Sequence, residues 1–449
     1  MLKQLFALAA FASLTFADTV PEYEWVVRAG GPLNDKTYGM CTDAKGNIFI
    51  TGEFAGAAQW GDFTVTSAGD KDFFVAKLDA AGKFLWVRSG GGSKGDRGYG
   101  VACDAEGNCY VAGACEGADC KFDGRVLTAA GGYDAFVGKY DSNGRLEGIQ
   151  SAGGAGYDYA HGIAISTSGK VYVTGAVVGD AAFGDAKVPN AKNSHVFCAC
   201  YTQSGLLSWV RTAEGRDGSN GQGVCVDNAG NAYVGGTCGG VSTLGGVALS
   251  NPAGSDILVA KFTPAGELAW VQQGFGSPRA DIGQVSVDKE GRVFAGGEFK
   301  GPLRMEDGKV VESRGDKDLL LTRIDPAGKR LWTITGGGPK TDIALAVVTD
   351  GKGGCLLTGE MADTMEILGR TLTSRGLLDI YVASIDASGN LRWLTQAGGP
   401  GNDSAYAIAM DAEGNTFFSG TFNASATFGS KTLTSAGGGD VYVAKLKTK

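Results

Sequence analysis

Short apolar runs separated by polar turns recur along the whole chain. In the first repeat these runs cover Thr37 to Asp43, Asn47 to Glu53, Phe73 to Asp79 and Lys83 to Arg88. The runs are short and rich in Val, Ile, Phe and Tyr, which predicts β-strands. The segments between consecutive runs, such as Asp-Ala-Lys-Gly-Asn, predict hairpin turns. In such a turn the Asp side chain accepts amide hydrogen bonds and the Gly adopts a positive φ.

Tryptophan marks the length of the repeat. It recurs every 61 or 62 residues, or once at twice that spacing, at Trp25, Trp86, Trp209, Trp270, Trp332 and Trp393. The flanking pattern continues without its Trp at Gly148, so seven units begin near residues 25, 86, 148, 209, 270, 332 and 393. Four strands repeated seven times, with no helical segment between them, predict an all-β fold. The specific prediction is a seven-bladed β-propeller of four-stranded antiparallel blades.

The two ends of the chain predict how the ring closes. The last unit stops after its third strand, Val441 to Leu446, and lacks a fourth. The segment Glu24 to Arg28 has the sequence of a fourth strand without the three that should precede it. Pairing of this N-terminal strand with the last blade removes the exposed sheet edges. We therefore expect the chain ends to close the ring.

The repeated unit also carries a family pattern, which is clearest in residues 25–85. It reads Trp-Val-Arg, Gly-Gly, Asp-Ala-x-Gly-Asn, Leu-Thr-Ser with Gly and Asp, and finally Phe-Val-Ala-Lys. These motifs resemble the repeat of the exported bacterial seven-bladed β-propeller family known as SBBP, and the resemblance covers residues 25–449. Membership of that family implies export and a propeller, but no reaction. The third unit departs most from the pattern, so we expect its blade to be distorted.

The first residues predict a signal peptide at 1–17, followed by the propeller at 18–449. Lys3 supplies a positive start, Leu5 to Phe16 is largely apolar, and cleavage is expected after Ala17. The apolar run is too short to span about 30 Å of hydrocarbon as a helix. We therefore expect a secreted, periplasmic or cell-surface protein, without membrane insertion of the mature chain.

The charge balance narrows the choice of partners. Lys and Arg number 40 against 48 Asp and Glu, for a net charge of −8. A mildly acidic surface repels phosphate backbones, which disfavours nucleic acid as a partner. Protein and glycan remain, and propellers bind such partners through long loops and at the mouth of the channel. Links such as residues 54–72 predict a face of this kind, built from long loops.

Residues near the start of the first strand of each unit are candidate ligand-binding residues at the channel mouth. An Asp lies ten or eleven positions into six units, and a ring or amide side chain lies thirteen positions into five. Together these residues are Asp35, Tyr38, Asp96, Tyr99, Asp158, His161, Gln222, Asp281, Asp342, Asp403 and Tyr406. Tyr rings suit sugar faces, and carboxylates suit Ca²⁺ or a basic peptide. Alternatively, each Asp caps its own loop by accepting backbone N–H bonds.

Ten cysteines in an exported chain permit disulfides. Cys115 and Cys120 flank four residues of a predicted surface loop. Cys103 and Cys109 face each other across a predicted hairpin turn. Both pairs are candidates for a disulfide, and the sequence does not fix the connectivity.

The sequence contains little that predicts catalysis. The only histidines are His161 and His195, both in the third unit, and His195 is expected in an exposed loop. No nucleophile elbow, phosphate loop or metalloprotease motif occurs in the sequence. We expect no catalytic residue, no bound metal and no cofactor, with Ca²⁺ as the one ion that the acidic residues suit. A non-enzymatic binding or scaffold module fits best. The alternatives are a polysaccharide lyase or hydrolase at the channel mouth, and a structural cell-envelope or surface protein.

Overall fold

The computed structural model describes residues 19–215, 218–274 and 277–447, and every regular element in them is a β-strand. The sequence-predicted signal peptide at 1–17 lies outside the described residues. The first strands are β1 Glu22–Ala29, β2 Lys36–Thr42, β3 Ile48–Phe54, β4 Ala57–Trp60, β5 Phe63–Thr66, β6 Asp72–Leu78, β7 Phe84–Gly91, β8 Arg97–Cys103, β9 Cys109–Glu116, β10 Cys120–Phe122, β11 Arg125–Leu127, β12 Tyr133–Tyr140 and β13 Leu146–Gly154.

The middle strands are β14 Tyr159–Ile165, β15 Val171–Phe183, β16 Ala186–Tyr201, β17 Leu207–Gly215, β18 Ser219–Val226, β19 Ala232–Leu244, β20 Val247–Phe262, β21 Leu268–Gln273, β22 Arg279–Val287, β23 Val293–Lys300, β24 Pro302–Arg304, β25 Val310–Glu312, β26 Asp318–Ile324 and β27 Arg330–Gly337. The last strands are β28 Asp342–Thr349, β29 Cys355–Met361, β30 Thr364–Ile367, β31 Arg370–Thr373, β32 Asp379–Ile385, β33 Leu391–Ala397, β34 Ser404–Met410, β35 Thr416–Phe428 and β36 Lys431–Lys447.

Across the described residues, the main strands pair antiparallel in groups of four that follow the sequence repeat. The groups are β2-β3-β6-β7, β8-β9-β12-β13, β14 to β17, β18 to β21, β22-β23-β26-β27, β28-β29-β32-β33 and β34-β35-β36-β1. The third unit forms the regular group β14 to β17, so the expected distortion of its blade is wrong.

The first strands of these groups contact one another in sequence and return to the start. β2 contacts β8, β8 contacts β14, and the series continues through β18, β22, β28 and β34 back to β2. β3 and β6, which lie behind β2, are buried along their whole length because neighbouring groups cover both faces. The arrangement is all-β and propeller-like. Within the described ranges, no helix is long and apolar enough to cross a bilayer.

The N-terminal strand completes the last group, as the sequence predicted. β1 lies antiparallel to β36, with Arg28 opposite Tyr442 and Trp25 opposite Lys445. Arg28 also forms an ion pair with the buried Asp440 at 2.7 Å. The backbone groups at both chain ends are therefore satisfied by each other.

The links between second and third strands have the predicted length, but they form ordered hairpins and are not open loops. In the first unit β4 pairs with β5 around the two-residue turn Gly61-Asp62. In other units the hairpin also pairs with the fourth strand of the preceding group, as β10 does with β7 and β30 with β27. Trp60, which stands outside the repeat, is fully buried in β4 against Phe74 and Phe84. These hairpins join neighbouring groups together.

Candidate functional site

A β-bulge in each inner strand sets the surface of the central channel. The pairing of β2 with β3 skips one residue between Thr37 and Gly39, and the other six inner strands skip the corresponding residue. The skipped residues are Tyr38, Tyr99, His161, Gln222, Gly283, Leu345 and Tyr406. A bulge re-aims the side chain that it carries. All seven inner strands line a cavity of about 350 Å³, and Tyr38, Tyr99 and His161 are among its lining residues.

Seven ring-bearing residues form a continuous line of contacts, which we call the aromatic arc. Its members in order are Tyr406, Tyr38, Tyr99, His161, Tyr159, Tyr133 and Tyr157. Successive ring centroids lie 4.9–6.1 Å apart. The ring of His161 lies parallel to that of Tyr159, at an interplanar angle of 7°. The rings are partly buried as far as Tyr133, whereas Tyr157 is 57% exposed. The arc therefore leads from the channel to the surface.

Beside the aromatic arc, one buried carboxylate pairs with two cations. The buried carboxylate of Glu53 accepts hydrogen bonds from Lys71 Nζ and Arg97 Nε, each at 2.7 Å. The Arg97 guanidinium also donates to the Tyr99 hydroxyl at 3.3 Å and lies over the Tyr133 ring at 5.8 Å. Arg97 is thereby held against two members of the arc, with part of its surface open to solvent.

Three carboxylates occupy the opposite side of the channel mouth, and we call them the acidic arc. Asp281 lies directly opposite Glu298 in the pairing of β22 with β23, and Glu360 lies on the next group. Burial raises the pKa of Asp281 to about 6, and the charge of Glu298 adds to the effect. Burial and Glu298 also raise the pKa of Glu360, although Ser404 Oγ donates to its carboxylate at 2.5 Å. Lys317 pairs with Glu298 at 2.5 Å.

Five of the six predicted acidic ligands are fully buried clamps and do not line the channel, so the expectation that they bind a ligand is wrong. Asp35 accepts a hydrogen bond from Gly31 N at 2.7 Å and another from Ala55 N at 3.1 Å. Its carboxylate thus ties the link between units to the end of β3. The same arrangement recurs at Asp96, Asp158, Asp342 and Asp403. The five side chains are the loop caps that the sequence offered as the alternative.

The sixth, Asp281, differs because it lies one residue further along its strand. A shift of one residue turns a side chain to the other face of a strand. Asp281 therefore occupies the position of Arg97 and Tyr159 in other units, at the channel mouth. Gln222 follows His161 around the ring and is partly buried. Sequence reasoning thus placed Asp281 with the wrong set of aspartates.

The two histidines have different surroundings. His161 lies in the aromatic arc, and its Nδ1 is 3.0 Å from Gly221 O. Burial lowers its pKa, so its ring is neutral at pH 7. His195 lies on β16 and is 5% exposed, with Nδ1 2.7 Å from Ala213 O. The expected loop position of His195 is therefore wrong, because it replaces an Asp that is buried in other units.

The predicted cysteine pairs have different outcomes. Cys115 and Cys120 form a disulfide that joins β9 to β10. Cys103 and Cys109 are opposite each other in register but remain thiols, so this candidate pair forms no bridge. The Cys103 thiol donates instead to Thr42 O of the neighbouring group at 3.3 Å.

The structure offers little for a metal ion. Among the described residues, the one cluster with ligand spacing contains Asp96, Cys115 and Cys120. It does not fit a metal site because both thiols are in the disulfide and Asp96 accepts two backbone N–H bonds. Calcium binding stays a prediction.

Comparison with known proteins identifies no family. No protein-family model matches the chain, and no curated protein matches it. Among solved structures it is similar to the Pan2 WD40 domain of Neurospora crassa, with a TM-score of 0.45 at 8% identity over 92% of this chain and 90% of that domain. It is also similar to a gluconolactonase from Xanthomonas campestris, with a TM-score of 0.37 at 10% identity over 96% and 95% of the two chains. Both scores are below 0.5, so neither likeness carries an argument about function. The resemblance to SBBP repeats stays a prediction.

Proposed function

We propose that the chain is an exported seven-bladed β-propeller that binds carbohydrate along the aromatic arc at its channel mouth. The count of seven is supported by the groups of four paired strands in the described residues and by the circuit of contacts between their inner strands. The single observation that carries the function is the continuity of the arc, in which seven rings contact one another from channel to surface.

The chemistry of the arc suits a sugar chain. Aromatic faces present large apolar contact areas, and tyrosine adds a hydroxyl that can hydrogen-bond to a sugar. Arg97 lies against Tyr99 and Tyr133 and supplies N–H donors in a fixed plane. Glu53 holds this guanidinium in place and shares its single negative charge between Arg97 and Lys71. The combination favours a polyhydroxylated ligand over a basic peptide, which the remaining positive charge repels.

The asymmetry of the ring supports binding rather than packing as the role of the arc. The bulged residue of the inner strand is Tyr or His in four units. In the other three units it is Gln222, Gly283 or Leu345. A purely structural position is expected to be filled alike in every unit, as the buried aspartate clamps nearly are. The aromatic side of the mouth is therefore the part of the channel that is specialised.

A glycan array followed by calorimetric titration with the best-binding oligosaccharide tests this proposal. We expect Tyr159→Ala to weaken binding on the order of tenfold, because it removes a ring from the middle of the arc. Tyr157→Ala, at the exposed end, should have a smaller effect. Leu206→Ala is the matched control, because Leu206 is an exposed apolar residue outside the arc, at 69% exposure. Absence of oligosaccharide binding, or equal losses in Leu206→Ala and Tyr159→Ala, contradicts the proposal.

A second candidate function is hydrolysis of the bound glycan, and the acidic arc favours it. Glycosidases use two carboxyl groups whose surroundings separate their pKa values. Asp281, with its pKa raised to about 6, can hold a proton near pH 6, while Glu298 forms an ion pair with Lys317 at 2.5 Å. Release of reducing sugar from the best-binding oligosaccharide, abolished in Asp281→Asn with binding retained, is the expected result. Binding without any release rejects this second function and leaves the first intact.

A further inference from the structure

The tryptophans that mark the repeat fill a recurring slot between neighbouring units. The indole Nε1 of Trp25, Trp86, Trp209, Trp270 and Trp332 donates to a backbone carbonyl of the next unit, at 3.1–3.2 Å. A glycine two residues beyond that carbonyl lies against the indole ring. At Gly82, for example, an added Cβ would come within 3.0 Å of Trp25.

A second aromatic ring completes each slot. The partners of the five indoles are Phe417, Phe49, Tyr172, Tyr233 and Phe294, with centroids 5.9–6.1 Å apart. Two arginines, Arg88 and Arg211, lie over their own indoles and donate to the carbonyl of the slot glycine at 2.8 and 2.7 Å. Each slot therefore has an aromatic wall, a glycine floor and one carbonyl that receives the indole N–H.

The third unit keeps this slot but has no tryptophan to fill it. Gly148 occupies the Trp position, and an added Cβ there would meet nothing within 4 Å. A cavity of about 310 Å³ opens at this point, lined by Gly148, Tyr110, Gln203 and Gly205. Tyr110 corresponds to the aromatic wall, Gly205 to the glycine floor, and Gln203 supplies the carbonyl position. Gln150 donates to Gly205 O at 2.7 Å, as the arginines do elsewhere.

We propose that this junction is a binding site for a small molecule with a planar aromatic ring of indole size that carries an N–H donor. The five filled slots define the size and chemistry of the ligand. Each of them holds an indole ring against an aromatic side chain, a glycine and a backbone carbonyl. The cavity volume lies at the lower end of small-molecule sites, roughly 300–1,000 Å³. The site is independent of the aromatic arc, which is built from other residues.

Polar groups at the rim of this slot repeat those of a filled one, and Arg125 is added to them. Lys139 lies 5.6 Å from the centre of the Tyr110 ring and pairs with Glu147 at 2.7 Å, as Lys445 lies over the Phe417 ring and pairs with Glu24 beside Trp25. Arg125 donates to Glu147 O at 3.1 Å from the exposed side. The ligand ring therefore enters beside an ion pair, while its buried edge faces the Gln203 carbonyl. A neutral heteroaromatic compound suits this mixture better than an anionic one.

Titration of the full chain with 3-methylindole, followed by calorimetry and by saturation-transfer NMR, tests the site. We expect saturable binding of one molecule per chain, and binding of 1,3-dimethylindole that is weaker by about three- to tenfold, because N-methylation removes the donor. Gly148→Trp should abolish binding of 3-methylindole and raise Tm by a few degrees, because the chain then fills its own slot. Gly148→Phe should also block binding, without restoring the hydrogen bond.

Three results would overturn the proposal. One is the absence of saturable binding up to the solubility limit of 3-methylindole. Another is undiminished binding in a folded Gly148→Trp variant, which would place the compound elsewhere. The third is failure of both Gly148 variants to fold, since a slot that cannot hold a tethered aromatic ring cannot hold a free one.

Discussion

The junctions between units and the mouth of the channel are built from the same repeat but differ in how strictly they repeat. At the junctions, an indole on a glycine and an aspartate on two backbone amides recur in nearly identical geometry. At the mouth, equivalent positions carry Tyr99, Gln222 or Leu345. The repeated parts hold the ring together, and the variable parts are those free to recognise a ligand.

This comparison gives a rule for interpreting a repeat protein. A residue that recurs in every unit is explained first by packing, whereas a contact that occurs once needs another explanation. The aromatic arc, the acidic arc and the empty slot at Gly148 each occur once and therefore need an explanation other than packing. The aspartate clamps recur in nearly every unit and are explained by packing.

Removal of β1 should have the largest effect on the ring. Deletion of residues 19–30 removes the pairing with β36 and the ion pair between Arg28 and Asp440. We expect a loss of more than about 5 kcal/mol in the free energy of unfolding, measured by chemical denaturation, because a whole strand and its buried contacts are lost. Deletion of residues 1–21 alone, which leaves β1 intact, is the control. An unchanged Tm after the longer deletion would show that the chain ends do not close the ring.

A comparison of two aspartates tests the difference between junction and mouth. Asp35→Ala leaves the N–H groups of Gly31 and Ala55 without their partner, and should cost about 2–4 kcal/mol of stability in denaturant unfolding. Asp281→Ala should cost less than about 1 kcal/mol, because burial and the like charge of Glu298 already disfavour the charged form of Asp281. Equal costs for the two variants would mean that Asp281 is a clamp after all.

The pH dependence of stability gives the most distributed effect, because five groups share it. Burial raises the pKa of Asp35, Asp158 and Asp403 to about 6, and that of Asp96 and Asp342 to about 7. An unfolded Asp titrates near 4. Between these values the folded state binds more protons, so stability is highest below about pH 4 for these groups and falls as pH rises through 6 to 7.

We therefore expect Tm to be higher at pH 5 than at pH 8, by several degrees in a thermal scan. His161, whose pKa is lowered by burial, acts in the opposite direction, but it is one group against five. Asp35→Asn serves as the control, because it removes one titrating group and should make the dependence shallower. A Tm that rises with pH over this interval would contradict the assignment of the raised pKa values.

Much of the fold could be predicted from the sequence because its signals are local and periodic. The spacing of Trp25 and its equivalents gave the repeat, and the unmatched strands at the chain ends predicted the pairing of β1 with β36. The hairpins between second and third strands were missed, although two-residue turns such as Gly61-Asp62 and Asp123-Gly124 recur with the same period. Such turns between alternating residues are a hairpin signal.

The site was less predictable because it depends on contacts between units. Tyr133, Tyr157 and Tyr159 join the aromatic arc only when two groups lie side by side, and no spacing within one repeat indicates this. Asp281 was grouped with the clamps because ten and eleven residues look alike in sequence, yet one residue reverses the face of a strand. His195 is buried because it occupies the position of an aspartate that is buried in other units. The chemistry of a histidine does not by itself indicate this.

Closure by the chain ends has a consequence for biogenesis. Because β36 pairs with β1, the strand of this domain that is synthesised last meets the one that is synthesised first. Until they emerge, the nascent sheets keep an unpaired edge that other chains can join. Premature termination before β36 therefore leaves β1 without its partner and endangers the entire domain.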